Sequence, residues 1–262
     1  MIKIKDKQVD LNYFPDGTFL IKEKVPKEPV TITWLFEKNQ ELVALYFLVK
    51  HLRAKGIKKI DLKMPYIPNA RQDRVKAEED VFTLKYFAEL INSLKFNKVT
   101  VLDPHSYVSE ALFEHIDIQT PKKYVEKVIQ RIGRDKLMLF FPDEGAMKRY
   151  SNMFNLPYTF GIKKRDWSTG QIKGLDVTGQ TEELAGSVVL IVDDICSKGG
   201  TFYHSAKALK ELGAKDVYLY VSHCENSIFE GELLKSDLVT KVYTTNSIFT
   251  GVHNRVEVFD YE

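Results

Sequence analysis

The hydrophobic positions along this chain follow two alternating patterns. Short apolar runs are typical of buried strands, and longer segments with apolar residues three or four positions apart are typical of amphipathic helices. The strand-like segments, in chain order, are KKIDLKMP, KVTVLD, KLMLFFP, PYTFGI, GSVVLIVDD and DVYLYVSH. The helix-like segments are ELVALYFLVKHLRAKG, EDVFTLKYFAELINSLKF, TPKKYVEKVIQRIG and GTFYHSAKALKELG.

Polar and special residues at the helix ends predict where these helices begin and stop. Asn39 is expected to cap the first helix and Asp80 the second, because short polar side chains accept hydrogen bonds from the first free N–H groups. In the third helix, Thr120 is the predicted cap, Pro121 lies in the first turn and Gly133 follows the end.

Strands that alternate with helices at this interval predict parallel sheets with right-handed crossovers, so the fold class is α/β. One strand-helix series ends near the Thr120–Pro121 step and another begins there. We therefore expect two similar α/β domains, residues 1–120 and 121–262, each a mainly parallel sheet flanked by helices. This expectation includes a return of the last strand to the N-terminal domain.

Composition and charge narrow the classes of function. The 262 residues are 44% hydrophobic and carry a formal net charge of +2, which argues against a nucleic-acid or anionic-membrane partner. Two cysteines provide neither a disulfide framework nor metal-ligand spacing, so a reducing, cytoplasmic compartment is expected. The N-terminus lacks the apolar core of a signal peptide, and the apolar runs are too short to span a bilayer.

Polar residues collect where the predicted strands end, which is where open parallel sheets bind ligands. The segments that follow the strands are PYIPNARQDR, DPHS, PDEGAMKR, KKRDWSTGQ and DDICSKGGT. Taken one at a time, each is also typical of turn chemistry or of surface ion pairs. Their convergence at one end of the strands favours a site with cations for phosphates and carboxylates for hydroxyls or a metal.

The segment SVVLIVDDICSKGGT has the chemistry of a sugar-phosphate site. Gly199 and Gly200 let the backbone come close to a phosphate at the start of a helix, where N–H groups and the helix dipole favour an anion. Thr201 adds a hydroxyl donor, and Asp193 and Asp194 can accept hydrogen bonds from vicinal sugar hydroxyls. The spacing and ending of a nucleotide-hydrolase P-loop are absent.

These motifs resemble those of a known family. VLIVDDICSKGGT resembles the phosphoribosyl diphosphate (PRPP) loop shared by type I phosphoribosyltransferases and ribose-phosphate diphosphokinases, also called PRPP synthetases. The segments PYIPNARQDR, VTVLDPHSYVSEALF, FFPDEGAMKRY, GIKKRDW, FPDGTFLIKEKV and KVYTTNSI resemble further segments of the synthetases, in the same order. The resemblance implies two phosphoribosyltransferase-type domains, with ATP loops in the first and the ribose 5-phosphate and catalytic loops in the second.

The resemblance also implies the reaction, which is transfer of the β,γ-diphosphoryl group of ATP to O1 of ribose 5-phosphate, giving PRPP and AMP, with Mg²⁺ as cofactor. Implied ATP-binding residues are Phe14, Asp16, Arg71, Gln72, Asp73 and His105. The implied diphosphate loop contains Asp143, Glu144, Gly145, Ala146 and Lys148. Implied ribose 5-phosphate ligands are Asp193, Asp194, Ser197, Lys198, Gly199, Gly200 and Thr201. His105 and Asp143 would hold the metal, and Lys164 and Arg165 would lie on a mobile catalytic loop.

The chain departs from the family pattern at several positions. Thr18 replaces a glutamate near the N-terminus, Ala146 replaces the second glycine of the diphosphate loop, and Ser197 and Lys198 replace the usual aspartate and threonine of the PRPP loop. The segment before FPDG is short, so the first strand-helix unit is expected to be missing or replaced. The family's dimers or hexamers of dimers lead us to expect a homo-oligomer.

Two other functions remain open at this point. A phosphoribosyltransferase that joins PRPP to a base would share the PRPP loop, although it has no need of the Arg71–Gln72–Asp73 segment. A non-catalytic homologue would be free to lose His105, Asp143, Lys164 or Arg165, all of which are present.

Overall fold

The computed structural model describes residues 1–5, 7–165 and 172–261, and for residues 163–165 and 172–175 the backbone only. The chain forms two compact units, the N-terminal unit Met1–Thr120 and the C-terminal unit Pro121–Glu262. Among the described residues, no helix is both long and apolar enough to cross a membrane.

The N-terminal unit contains a sheet whose four main strands are parallel. The strands of this unit are β1 Ile2–Ile4, β2 Lys7–Gln8, β3 Leu11–Tyr13, β4 Phe19–Ile21, β5 Val30–Trp34, β6 Ile60–Lys63, β7 Lys98–Leu102 and β8 Ile116–Gln119. Its helices are α1 Gln40–Ala54, α2 Thr83–Ser93 and α3 Val108–Leu112. Strands β5 to β8 lie side by side in chain order, β1 and β2 extend the sheet antiparallel beside β5, and β3 and β4 form a separate hairpin.

The C-terminal unit is built on a second sheet of the same kind. Its strands are β9 Leu137–Phe141, β10 Tyr158–Arg165, β11 Ile172–Gly179, β12 Val188–Cys196, β13 Asp216–Cys224, β14 Lys241–Thr245 and β15 Val256–Phe259. Its helices are α4 Lys122–Ile132, α5 Glu144–Tyr150 and α6 Gly200–Glu211. The order across the sheet is β11-β10-β9-β12-β13-β14-β15, and only β11 runs antiparallel to its neighbour.

Both sheets bury the apolar runs from which the strands were predicted, and the expected α/β class is confirmed. Every residue of β9 is buried, as is most of β12, which is the pattern of a parallel strand covered on both faces. Helix α1 presents one face to its sheet through side chains at helical spacing. These are Ala44, Leu45, Leu48, Val49 and Leu52.

Several helix starts differ from those predicted. Helix α2 begins at Thr83, because the Asp80 carboxylate accepts the N–H groups of Lys76 and Ala77 at 2.8 and 3.0 Å and closes the preceding turn. Helix α4 begins one residue after Pro121, and the predicted cap Thr120 lies outside it. Capping motifs compete with local turns for the same short polar side chains, and the sequence alone does not decide between them.

The final strand is the other difference. Strand β15 pairs in parallel with β14 in the second sheet, with Val242 opposite Val256 and Thr245 opposite Phe259. Phe259 also stacks on Tyr243, with ring centroids 6.1 Å apart. The expectation that the last strand returns to the N-terminal domain is therefore wrong, because this edge pairs and packs within the C-terminal unit.

The core of the N-terminal unit contains a buried carboxylate. Glu41, at the start of α1, is 3% exposed. Its Oε2 accepts hydrogen bonds from the indole N–H of Trp34 at 2.9 Å and from the N–H of Glu37 at 3.0 Å. Because a buried charge without hydrogen-bond donors is costly, these bonds fix the junction between β5 and α1.

Replacing Trp34 by Phe tests this contact. Trp34→Phe removes a donor from a buried charged group and should lower the free energy of unfolding by about 2 to 3 kcal/mol in urea titrations. Tyr86→Phe, on the exposed face of α2, is the matched aromatic control and should change that energy by less than about 0.5 kcal/mol. Equal stability of Trp34→Phe and wild type would contradict the assignment.

Candidate functional site

The order of strands in the C-terminal unit creates a crevice at one position of its sheet. The chain leaves β9 toward β10 on one side and later returns to β12 on the other side of β9. In open parallel sheets, ligands bind beyond the carboxyl ends of the strands at such a reversal. Asp143 lies in the segment that follows β9, and Asp193 and Asp194 lie near the end of β12, so the predicted diphosphate and ribose residues flank this reversal.

Asp193 and Asp194, at the end of β12, share one counter-charge. Arg149 of α5 donates from Nη1 to Asp194 Oδ2 at 3.3 Å, and its Nη2 lies 3.5 Å from Asp193 Oδ1. The three side chains are 18%, 15% and 5% exposed for Arg149, Asp193 and Asp194. The guanidinium also lies 5.0 Å from the centre of the buried Tyr150 ring, within the range of a cation–π contact.

Arg149 is a site residue that the sequence did not assign. It stands in the segment that follows β9, but no role was attached to it. Its position six residues after Asp143 places it at the far end of the short helix α5. Only the packing of α5 against β12 reveals that it faces the two aspartates.

The electrostatics of the pair follow from this arrangement. Burial raises the pKa of Asp193 well above its ordinary value, and the neighbouring carboxylates of Asp194 and Asp143 raise it further. Arg149 acts in the opposite direction by favouring the charged form. The two carboxylates are therefore held close together although their like charges repel each other.

The phosphate loop, Ser197–Thr201, is separated from the pair by two residues. Gly199 adopts a left-handed conformation with φ of +79° and stands just before α6, which begins at Gly200. That φ is unfavourable for residues with a Cβ, so the turn into the helix requires glycine. Lys198 extends outward and forms an exposed ion pair with Glu230, with Nζ and Oε2 2.9 Å apart.

Cys196 precedes the phosphate loop and is completely buried, as is Cys224 opposite it on β13. The contact with Cys224, together with burial, raises the pKa of the Cys196 thiol well above its usual value. A thiol with these surroundings is a packing residue and not a nucleophile.

The predicted diphosphate loop is a helical turn. Asp143 caps α5 by accepting the N–H of Ala146 at 3.0 Å, so the residues expected as a loop from Glu144 onward form the first turns of α5. Ala146 is buried and helical. The replacement of glycine at this position therefore carries no backbone strain. Lys148 is exposed and lies 2.8 Å from Glu144, one helical turn earlier.

Lys164 and Arg165 stand at the end of β10, which runs beyond the last residue of its neighbour β9. Their side chains lie outside what the structure describes. Residues 166–171, expected to continue the mobile loop, also lie outside the described residues. Both residues pair with β11, so the expectation that they lie on a loop is wrong for these two positions, because the strand continues past the end of β9.

In the N-terminal unit, Arg71 and Gln72 line a cavity of about 270 Å³ beyond β6. Phe36 and Tyr66 form part of its wall, and their ring centroids are 6.0 Å apart. Gln72 Oε1 accepts a hydrogen bond from the hydroxyl of Thr83. Aromatic walls beside a guanidinium suit a base or an anionic group.

Asp73 is buried, whereas its neighbours Arg71 and Gln72 line the cavity. It is 5% exposed and accepts two hydrogen bonds from Arg74, at 2.7 and 2.9 Å. This bidentate pair holds the pKa of Asp73 at about 2, and the nearby His105 favours the charged form as well. Asp73 therefore orients Arg74 and joins the end of β6 to the segment after β7.

The hairpin residues Phe14 and Asp16 lie in the turn between β3 and β4. Asp16 Oδ1 accepts the N–H and the hydroxyl of Thr18 at 2.9 and 2.7 Å, and these bonds lower the pKa of Asp16. The threonine that departs from the family pattern thus closes the turn. Phe14 is 51% exposed at its tip.

The metal donors suggested by the sequence are oxygen and nitrogen ligands in separate units. Within residues 1–5, 7–165 and 172–261, no cluster of three or more histidine, cysteine or acidic side chains could hold a metal by itself. The carboxylates of Asp143 and Asp193 nevertheless disfavour each other's charge, which a hard cation with few protein ligands would relieve. Carboxylate oxygens are donors that such a hard cation accepts.

Both units contain segments that match known protein families. The family described as the N-terminal domain of ribose phosphate pyrophosphokinase matches residues 1–94, and the phosphoribosyl transferase domain matches residues 145–257. The ribose-phosphate pyrophosphokinase of Pyrococcus abyssi is 30% identical over 97% of this chain and 88% of its own length. That of Saccharolobus solfataricus is 28% identical over 82% and 76%.

Solved structures give the same fold. The crystal structure of phosphoribosylpyrophosphate synthetase from Mycobacterium smegmatis superposes with a TM-score of 0.81 at 20% identity, covering 97% of this chain and 86% of that one. The resemblance drawn from the motifs is confirmed by relatives that match along nearly the whole chain. The chain belongs to the ribose-phosphate pyrophosphokinase family of enzymes.

Proposed function

We propose that this chain transfers the β,γ-diphosphoryl group of ATP to O1 of ribose 5-phosphate, giving PRPP and AMP for nucleotide synthesis. The observation that carries the proposal is the pair Asp193–Asp194, which is held by Arg149 and is separated from the phosphate loop by two residues. Carboxylates for vicinal hydroxyls stand there beside backbone N–H groups for a phosphate, which is the chemistry of a ribose phosphate.

Ribose 5-phosphate would bind with its sugar hydroxyls donating to Asp193 and Asp194. Its 5-phosphate would accept hydrogen bonds from the backbone of the phosphate loop, Ser197–Thr201, at the positive end of α6. The raised pKa of Asp193 supports this assignment, because a carboxylate that is costly to charge gains most from hydroxyl donors.

ATP would bind through residues of the N-terminal unit. Arg71 and Gln72 would contact it from the cavity beyond β6, with Asp73 acting through its hold on Arg74. His105 would approach the phosphates. Phe14 and Asp16, on the hairpin, would contact an adenine, and the exposure of the Phe14 ring is consistent with that role.

A magnesium ion is the proposed cofactor, with Asp143 and His105 as its protein donors. When bound, it would neutralise phosphate charge and orient the phosphate oxygens. Few protein ligands are needed, because Mg²⁺ keeps several waters and takes phosphate oxygens. Asp143 to Lys148, the first turns of α5, would contact the diphosphate.

The chemical step places O1 of ribose 5-phosphate in line with the β-phosphorus and the bridging oxygen that leaves with AMP. The O1–phosphorus bond forms, the bond to AMP breaks, and the O1 proton is lost. Lys164 and Arg165, at the end of β10, would stabilise the charge that develops on the equatorial oxygens. Positioning and electrostatics supply most of the rate in such transfers.

The alternatives are weaker. A phosphoribosyltransferase using PRPP and a base would leave the Arg71–Gln72 cavity unexplained. A non-catalytic homologue would not need Asp193 and Asp194 held at an electrostatic cost.

We further propose a homo-oligomer, supported by exposed aromatic side chains on the hairpin, and a cytoplasmic location, supported by two buried free thiols.

A direct assay tests the reaction. Purified protein with ATP, ribose 5-phosphate and Mg²⁺ should form AMP and PRPP in equal amounts, measured by anion-exchange chromatography. Omitting either substrate is the control. Absence of product over a range of magnesium and phosphate concentrations would contradict the proposal, and nucleotide formation from PRPP and free bases would favour the phosphoribosyltransferase.

Removing the lysine of β10 tests its role in the transition state. Lys164→Ala should lower kcat by roughly a hundredfold or more, because one electrostatic donor to developing charge contributes about 3 kcal/mol. The KM for ribose 5-phosphate should change little, since the group acts mainly after binding. Lys207→Ala, exposed on α6, is the control. Normal turnover in Lys164→Ala would remove this residue from the mechanism.

Neutralising one carboxylate tests the sugar site. Asp193→Asn should raise the KM for ribose 5-phosphate more than tenfold, because hydrogen bonds to charged groups contribute about 1.5 to 3 kcal/mol. The same change relieves repulsion from Asp194 and Asp143, so thermal unfolding should occur at the same or a higher temperature. Wild-type KM, or a large loss of stability, would argue against the assignment.

A further inference from the structure

A segment outside the predicted site packs against the back of the phosphate loop. The backing segment, Glu225–Val239, follows β13 and includes a short 3-10 helix over Asn226–Glu230. Its first N–H, that of Glu225, donates to the carbonyl of Cys196 at 2.8 Å, which joins it to the residue just before the loop.

The closest approach between the two segments is at Gly231. A Cβ at this position would lie 1.8 Å from the carbonyl oxygen of Lys198 and 2.8 Å from its carbonyl carbon. The backbone of Gly231 has φ of −84°, which any residue can adopt, so the requirement for glycine here comes from space alone. The Lys198 peptide and the Gly231 backbone therefore fix each other's position.

Leu233 makes the second contact. It is completely buried, and a Cβ at Gly199 would lie 3.0 Å from its side chain. The left-handed turn at Gly199 thus lies against a buried apolar side chain. Its conformation is determined by the backing segment as well as by its own sequence.

The backing segment is itself anchored from a distance. The guanidinium of Arg255 donates to the carbonyls of Ser236 at 2.6 Å and Val239 at 3.3 Å, and also to that of Leu234. These bonds join the far end of the segment to the start of β15. A loop that presents N–H groups to a phosphate is thus supported by a segment that is fixed at both ends.

We propose that Gly231 is a positioning residue for the phosphate loop, because its missing side chain lets the Lys198–Gly199 backbone occupy the place from which it binds the 5-phosphate. The inference rests on the proposed function, which assigns this loop to ribose 5-phosphate. Gly231 touches no substrate and acts only through the Lys198 peptide. A methyl group there displaces that peptide, and the N–H groups of the loop no longer converge on one point.

The test compares Gly231→Ala with wild type by steady-state kinetics and by calorimetric titration with ribose 5-phosphate. The KM and Kd for ribose 5-phosphate should rise at least tenfold, while the KM for ATP stays within twofold. Glu230→Gln breaks the exposed ion pair to Lys198 without adding bulk. It should change the KM and the Kd for ribose 5-phosphate by less than about fivefold.

Gly133→Ala is the matched control for loss of stability. Gly133 has φ of +83° and open space around it at the end of α4, so alanine is strained there but touches nothing near the loop. Its melting temperature should fall while its constants for ribose 5-phosphate stay at wild-type values. Leu233→Ala, which removes support instead of adding bulk, should also raise the KM for ribose 5-phosphate, and it serves if Gly231→Ala does not fold.

The outcomes separate the two proposals. If Gly231→Ala or Leu233→Ala folds and binds ribose 5-phosphate with wild-type Kd, the positioning role is wrong. A parallel rise in KM for both substrates would also overturn it. If wild type binds ribose 5-phosphate but forms no PRPP, only the proposed reaction fails and the Kd values still decide the role of Gly231. If wild type binds no ribose 5-phosphate, both proposals fail.

Discussion

Two adjacent carboxylates at the end of a buried strand are the feature on which the site depends. Asp193 and Asp194 are covered on most sides and repel each other, so the fold must supply a positive charge nearby. Arg149 supplies it from α5, and Asp143 caps that helix through the N–H of Ala146. The end of β12, the cap of α5 and the aromatic ring under the guanidinium thus form one mutually dependent group.

The phosphate loop depends on a different kind of constraint, which is backbone space. The binding groups that we propose for it are N–H donors, whose directions follow from the backbone and not from side-chain rotamers. Gly199 supplies the left-handed turn, and the neighbouring backbone approaches so closely that another position must lack a Cβ. In the proposed site, charge therefore determines the arrangement of the sugar-binding side chains, and steric fit determines that of the phosphate-binding backbone.

The sequence predicted the features that depend on local pattern. Strands, helices and the polar residues that follow them were found because periodicity and strand polarity are local properties, and a parallel sheet gathers its strand ends at one edge. Features that depend on packing were missed. Asp80 closes a turn instead of capping α2, and the segment after Asp143 is helical. The contact of Arg149 with the aspartates is visible only when α5 is packed against β12. Gly231 carried no local signal because its φ is ordinary.

The close fit between the phosphate loop and its backing segment bears on how such a site could be transplanted. The motif read along the sequence from Asp193 to Thr201 does not contain the information that shapes it, because Leu233, the glycine beneath Lys198 and the Arg255 anchor lie in later parts of the chain. Grafting the motif alone onto another parallel sheet would supply the right donors on a backbone free to point them elsewhere. The portable module is the strand, the loop and the segment behind it, moved together.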